Sequence, residues 1–234
     1  MKPELLSQLL ADVEQKRSVV LCTDLASGAA RLVHPYAPEA GVDPALVAAC
    51  REAADADRSQ KWDGPGGTVF LRVFHPPVRL VVVGAVHIAQ SLGRMAQLAG
   101  YDVLVVDPRR AFATEQRFLG IPLSTEWPDE ALKRIGVDRR TAVVTMTHDP
   151  KIDDPALVAA LRSDAFYVGA LGSKKTQEAR RERLRRQGFP EAELARICGP
   201  VGLPIGAVSP GEMAISILSQ LVEKLRKPAG SKPA

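Results

Sequence analysis

Cysteine is scarce in this chain: Cys22, Cys50 and Cys198 are the only three in 234 residues, an odd number at wide spacings with no Cys-x-x-Cys. That excludes a disulfide framework and a zinc ribbon, and the three read as reduced thiols of a cytoplasmic protein. Long apolar runs are missing too. The longest, Leu80 to Val86, is far too short to span a bilayer, and Glu4 and Asp12 interrupt the N-terminus before a signal-peptide core can form. No membrane association is expected. Neither sign of charge dominates, since 31 Lys and Arg face 27 Asp and Glu for a net charge of +4. A general polycation for nucleic acid is thereby excluded. What remains, 46% hydrophobic and 25% charged residues, is the balance of a soluble globular protein with room for one large domain or two small ones.

The basic charge is local. Lys174 to Arg186 carries seven Lys or Arg against Glu178 and Glu182, so one segment holds the whole excess. The first seventy-odd residues mix helix and strand periods without a glycine-rich phosphate loop. A helix is expected from about Pro3 to Lys16, strands at 18–23 and 31–34, a helix opened by Asp43-Pro44, and a strand from Thr68 to Phe74. The Gly64-Pro65-Gly66-Gly67 run is read as the end of an irregular stretch. Pro76-Pro77 marks the expected boundary, giving a small α+β domain over residues 1–76 and a second domain over 77–226.

Beyond it, strand and helix alternate. Strands at 79–83, 102–106, 141–146 and 165–168 are short, apolar and β-branched, as in a parallel sheet covered on both faces. Helices are expected near 87–99, 128–135, 155–162, 174–187 and 210–226, the last with a capping box at Ser209-Pro210-Gly211-Glu212. The expected architecture is a Rossmann-like α/β domain with helices on both faces, preceded by the small α+β domain. Residues 227–234 read as a disordered tail.

Three segments can carry chemistry. Gly84-Ala85-Val86-His87 follows a strand and opens a helix, and Asp107 ends the next strand 23 residues after Gly84, the layout of a dinucleotide-binding unit. Val86 occupies the place where that motif has its second glycine, which counts against conventional NAD(P) binding. Asp107 is suited to accepting from a ribose hydroxyl, and Arg109 and Arg110 to binding a phosphate; the alternative is a plain turn of a doubly wound fold. Thr147-His148-Asp149 follows another buried strand and reaches the same edge, where His87 and His148 can donate, accept or simply cap. Gly169-Ala170-Leu171-Gly172-Ser173-Lys174-Lys175 combines a turn, a helix N-terminus and two lysines, all favouring an anion. The basic helix after it is either such a site, an acidic-partner surface or a solvated face. The apolar loop 199–207, dense in glycine and proline, is expected to pack over the sheet edge and close a pocket. No metal-ligand cluster and no catalytic residue is assigned.

Together these blocks resemble the XdhC/CoxI family of xanthine and carbon monoxide dehydrogenase maturation factors. The resemblance covers about residues 79–226 and rests on Gly84 to Ala89, Val106 to Arg109, Thr147 to Asp149, Gly169 to Ser173 with its basic helix, and Gly202 to Ala207 before Ser209 to Glu212. It implies a chaperone that binds molybdenum cofactor, as molybdopterin or its cytidine dinucleotide, supports its sulfuration with a cysteine desulfurase, and delivers it to a molybdenum hydroxylase client. Lys174 and Lys175 would then hold phosphate, and His87, His148 and Asp149 would face the pterin or metal end. Where family members have Gly-Ala-Gly-His, this chain has Gly84-Ala85-Val86-His87; where they have Gly-Gly-Cys, it has Gly66-Gly67-Thr68. By this resemblance the chain is expected to be a divergent branch with a shortened N-terminal domain, without chemistry through that cysteine.

Two other functions compete. An NAD(P)-dependent oxidoreductase would use the same fold, but no Tyr-x-x-x-Lys exists: Tyr36, Tyr101 and Tyr167 are followed four residues on by Ala40, Val105 and Leu171. A partner-docking module would need only the basic helix, and homo-oligomer formation stays open.

Overall fold

The computed structural model describes residues 2–37 and 40–226, so the tail expected at 227–234 lies outside the described residues. The chain divides between Pro76 and Pro77 into two compact units. In the first, α1 (Pro3–Glu14) precedes β1 (Val19–Asp24), β2 (Ala30–Val33), α2 (Pro44–Asp55), β3 (Gln60–Gly64) and β4 (Gly67–Phe74). The four strands form an antiparallel sheet in the order β2-β1-β4-β3. Asp43 caps α2 by accepting from the Ala45 amide, and Pro44 takes the first helical position, where a missing N–H costs nothing. Leu46, Ala49, Cys50 and Ala53 of that helix pack on Val20, Cys22, Val33 and Leu71 of the sheet. This brings the Cys22 and Cys50 sulfurs within 3.3 Å.

The Gly64-Pro65-Gly66-Gly67 run closes a β3–β4 hairpin instead of ending an irregular stretch. Gly64 has to be glycine, because the Trp62 ring occupies the space a Cβ would fill. Only one apolar residue, Trp62, marks β3, which is why alternation does not reveal it.

The second unit continues with β5 (Arg79–Val83), α3 (His87–Leu98), β6 (Asp102–Val106), β7 (Leu123–Ser124), α4 (Pro128–Ile135), β8 (Thr141–Thr145), α5 (Pro150–Leu161), β9 (Tyr167–Ala170), α6 (Lys174–Arg186), α7 (Glu191–Leu194), β10 (Ile197–Cys198) and α8 (Pro210–Arg226). Its six parallel strands lie in the order β10-β9-β8-β5-β6-β7, so the winding reverses between β5 and β8. Strand alternation splits the core in two. Leu80, Val82, Val103, Val105, Ala142 and Val144 face Ala89 and Leu92 of α3 and Ala214 and Ile217 of α8. Val81, Val83, Val106, Val143 and Val168 face Leu132 of α4, Leu157 of α5 and Leu184 of α6. Both faces are covered, which explains why these strands read as continuous apolar runs.

Most boundaries fall within a residue or two of the sequence reading; those of α5 and β9 differ in ways that bear on the site. Helix α5 starts at Pro150, capped by the Asp149 side chain on the Lys151 amide, with Pro155 inside it. Pro155 is the sixth helical residue, within the helix instead of at its start, and it lacks the N–H that would bond Lys151 O. Strand β9 runs two residues later than expected, from Tyr167 to Ala170. Gly169 is therefore a strand residue beside Tyr167 and Val201, with no room for a Cβ. The cap of α8 is as read: Glu212 accepts from the Val208 and Ser209 amides at 2.8 Å, and its own amide donates to Ser209 Oγ. Among the described residues no helix is long and apolar enough to cross a membrane.

Candidate functional site

Register aligns the carboxyl ends of the central strands: Val83 is opposite both Val106 and Thr145, and Thr145 is opposite Ala170. The three turns singled out in the sequence therefore leave the sheet along one edge, the edge where open α/β sheets bind ligands, with the winding reversal between the first two. Gly84 has φ +117°, and an added Cβ would lie 2.8 Å from Thr147 Cγ2. Only glycine lets the β5 and β8 turns approach this closely.

Asp107 is buried, and its carboxylate is fully engaged. Oδ2 accepts from the Ala85 amide and from Arg109, and Oδ1 accepts from the Arg109 amide and Nε, all at 2.8–3.0 Å. Burial pushes this carboxyl up, but the Arg109 and Ala85 bonds outweigh it and leave the group below the ordinary Asp value. Accepting from a ribose would require opening that pair, in which Asp107 is buried and Arg109 is half-buried. Its guanidinium also lies within the field of Asp149 and Asp153, which raises its basicity further. Val86 caps α3 without a side-chain bond and is half-buried against the core; His87 beside it is exposed.

At the β8 turn, Thr147 Oγ1 donates to Asp153 Oδ1 at 2.7 Å and accepts from the Asp149 amide. His148 is exposed at φ +64°, a left-handed conformation uncommon for a residue with a Cβ. Its amide donates to Asp153 Oδ2 at 3.1 Å. At the β9 turn, Leu171 is buried, its amide bound to Thr145 O. Gly172 takes φ +133° against Thr176. Ser173 Oγ caps α6 by accepting from the Thr176 amide.

The basic helix is largely neutralised within the molecule. Arg180 pairs with Asp153, Arg181 with Glu191, Arg183 with Asp154, Arg185 with Glu182 and Glu191, and Arg186 with Glu182. An acidic-partner surface made of this helix finds its arginines already committed. Lys174 and Lys175, by contrast, are exposed in the first turn of α6 and have no ion-pair partner among the described residues. Lys174 also borders a cleft of about 470 Å³ walled by Pro200 to Ala207, Met213 and Ser216. The glycine- and proline-rich loop thus forms a pocket wall, pinned where Ser216 Oγ donates to Leu203 O and Gln220 bonds both sides of Gly202.

Of the fifteen positions singled out, Gly169 lies within β9, and Gly84, Ala85, Val86, Asp107, Thr147, Leu171, Gly172 and Ser173 shape the turns. Arg109 is paired with Asp107 and Asp149 caps α5, while His87, His148, Lys174 and Lys175 have exposed side chains. Reading the sequence missed the support beneath them: Asp153, Gln177 and Arg180, all buried. Gln177, Arg180 and Leu184 form the inward face of a helix with almost no apolar residues. That scarcity is the signal that α6 buries polar groups.

A six-stranded parallel sheet of this order with glycine turns at its carboxyl edge defines a Rossmann-class domain. A family model described as the XdhC Rossmann domain matches residues 80–221, and the chain belongs to that family. It is 31% identical over 186 residues to Escherichia coli YqeB, an uncharacterised protein, covering 77% of this chain and 33% of the relative. It is 31% identical over 148 residues to the E. coli molybdenum cofactor insertion chaperone PaoD, covering 63% and 40%. A probable xanthine dehydrogenase component from Bacillus subtilis is 28% identical over 162 residues, covering 69% and 47%. The chain thus spans between a third and a half of these relatives' length. A solved structure described as a xanthine dehydrogenase from Bacillus halodurans shares the fold at a TM-score of 0.68, with 24% identity, 98% of this chain and 66% of that one.

Proposed function

We propose that this protein is a maturation factor that binds molybdenum cofactor as cargo at the carboxyl edge of its Rossmann domain. The observation that carries this reading is the contrast within α6. All five arginines are ion-paired, while Lys174 and Lys175, at the helix N-terminus and beside a cleft, are left for an anion. The donor set fits a phosphate: two ammonium groups, the first-turn amides and the positive end of the helix dipole. The cleft beside Lys174 suits the body of a phosphorylated pterin, and His87 and His148 supply hydrogen-bonding imidazoles along the same edge. Arg109, although paired with Asp107 through Nε and Nη2, is the basic group proposed for a second phosphate, as a cytidine dinucleotide form would need, through the part of its guanidinium that the pair leaves over.

The residues hold and orient the cargo; no bond-breaking step is assigned to them. Transfer of the cargo to a molybdenum hydroxylase is part of the proposal, supported by family membership and by the name of the relative PaoD, a molybdenum cofactor insertion chaperone; sulfuration by a cysteine desulfurase is proposed with it from the family resemblance alone. Homo-oligomer formation and a cytoplasmic setting belong to the same proposal. An NAD(P) oxidoreductase is disfavoured by Val86 and by the fully engaged Asp107 carboxylate.

Titration with isolated molybdopterin tests the phosphate assignment. Lys174→Ala with Lys175→Ala is expected to weaken binding about a hundredfold without shifting the folding midpoint, from the loss of two charge-assisted contacts. Unchanged affinity would remove the assignment.

A further inference from the structure

Beneath the proposed ligand edge lies a polar network without an evident role in packing. Asp153 on α5 and Arg180 on α6 have side chains only 1% and 2% exposed and meet at 3.4 Å. Asp153 accepts from the Thr147 amide and hydroxyl and from the His148 amide. Arg180 donates to Leu171 O at 3.1 Å and to Gln177 Oε1. Gln177 in turn donates to Ala170 O at 2.8 Å and Gly172 O at 3.5 Å. An unbroken chain of hydrogen bonds therefore runs from the backbone of His148 to the backbone of Gly172.

Burying two charges is costly, and apolar residues of similar volume commonly serve stability as well or better. The network is not even complete: Arg180 Nε and the neighbouring strand's Thr145 Oγ1 are buried with no hydrogen-bond partner among the described residues. Stability alone is a poor reason for this arrangement. Geometry is a better one. His148 sits at φ +64°, and the bond from its amide to Asp153 is what holds that conformation. On the other side, Arg180 and Gln177 fasten three successive carbonyls of the turn that ends in Lys174 and Lys175. The planar guanidinium uses both of its ends, Nη2 donating to the Asp153 carboxylate and to Leu171 O while Nη1 donates to Gln177 Oε1, a spread that a single-nitrogen ammonium does not match.

We infer that Asp153 and Arg180 are positioning residues that couple the turn presenting His148 to the turn presenting Lys174 and Lys175. This rests on the reading of those turns as the ligand edge. A phosphate seated on the lysines then meets a His148 already fixed in place, and loosening either turn misplaces both.

The test uses Arg180→Lys and Asp153→Asn in the full chain, with inorganic pyrophosphate as probe and amide hydrogen exchange as a ligand-free readout. Arg180→Lys keeps a charge for Asp153 but, with one nitrogen in place of two, cannot hold Asp153, Leu171 O and Gln177 Oε1 together. It is expected to leave the folding midpoint within a few degrees, weaken pyrophosphate binding at least tenfold, and speed exchange in both turns together. If the wild type binds pyrophosphate and Arg180→Lys binds equally well, the inference is overturned. If the wild type does not bind pyrophosphate, the phosphate assignment falls, and exchange alone decides. Acceleration at residues 147–148 and 171–173 together supports the coupling, and acceleration confined to one turn overturns it. Should Arg180→Lys fail to fold, Asp153→Asn carries the same test, because its amide nitrogen can no longer accept from His148 or Arg180.

Discussion

Gly84 shows how much of the site depends on one missing methyl. It combines φ +117° with a Thr147 methyl where a Cβ would go, and the Met146 carbonyl carbon is 3.3 Å from the same point. Strain and overlap act together, so Gly84→Ala is expected to cost about 3 kcal/mol, read as a lowered urea midpoint with an unchanged slope. That glycine is legible in the sequence as the head of a strand-turn-helix motif. The same reasoning names Lys174 and Lys175, because exposed charge at a helix start can be read from composition. Asp153 and Arg180 escape it. Acids and bases are usually surface residues, and nothing local distinguishes the one arginine of α6 that turns inward from the four that do not.

Among elements, the strap from β6 to the β5–α3 turn is the clearest electrostatic device. Because the folded Asp107 carboxyl lies below its ordinary value, its contribution is complete above about pH 4 and is lost as the pH falls through the folded value. Asp107→Asn is therefore expected to destabilise by about 2 kcal/mol at pH 7, with the gap to wild type closing as the pH falls below 4 in thermal unfolding. A constant gap would show that the effect is steric. Elements are readable in the sequence in proportion to their burial. The central strands announce themselves as apolar runs, whereas two-residue β7 and β10 and the largely polar β3 have no period to detect. The start of helix α5 is hard to read because Pro155 competes as a start signal with Asp149-Pro150, and only the observed cap on the Lys151 amide decides between them. A helix begun at Pro155 leaves Asp153 in a loop, which is what hides its role.

For the whole molecule, the Rossmann sheet order and the five sequence blocks agree with the family match over residues 80–221. The antiparallel unit before Pro77 carries its own core and no assigned ligand residue. Because the chain spans only part of its relatives' length, client choice and cofactor transfer belong to experiments with whole assemblies. The central claim concerns cargo, and one measurement addresses it most directly. Protein purified from matched hosts that can and cannot make molybdenum cofactor is denatured, and the released small molecules are assayed as oxidised pterin and by mass spectrometry for nucleotides. The account predicts near-stoichiometric pterin from the competent host alone, with less from Lys174→Ala/Lys175→Ala. NAD(P) released from both hosts, or a protein that is empty from both and takes up no added cofactor, would contradict it.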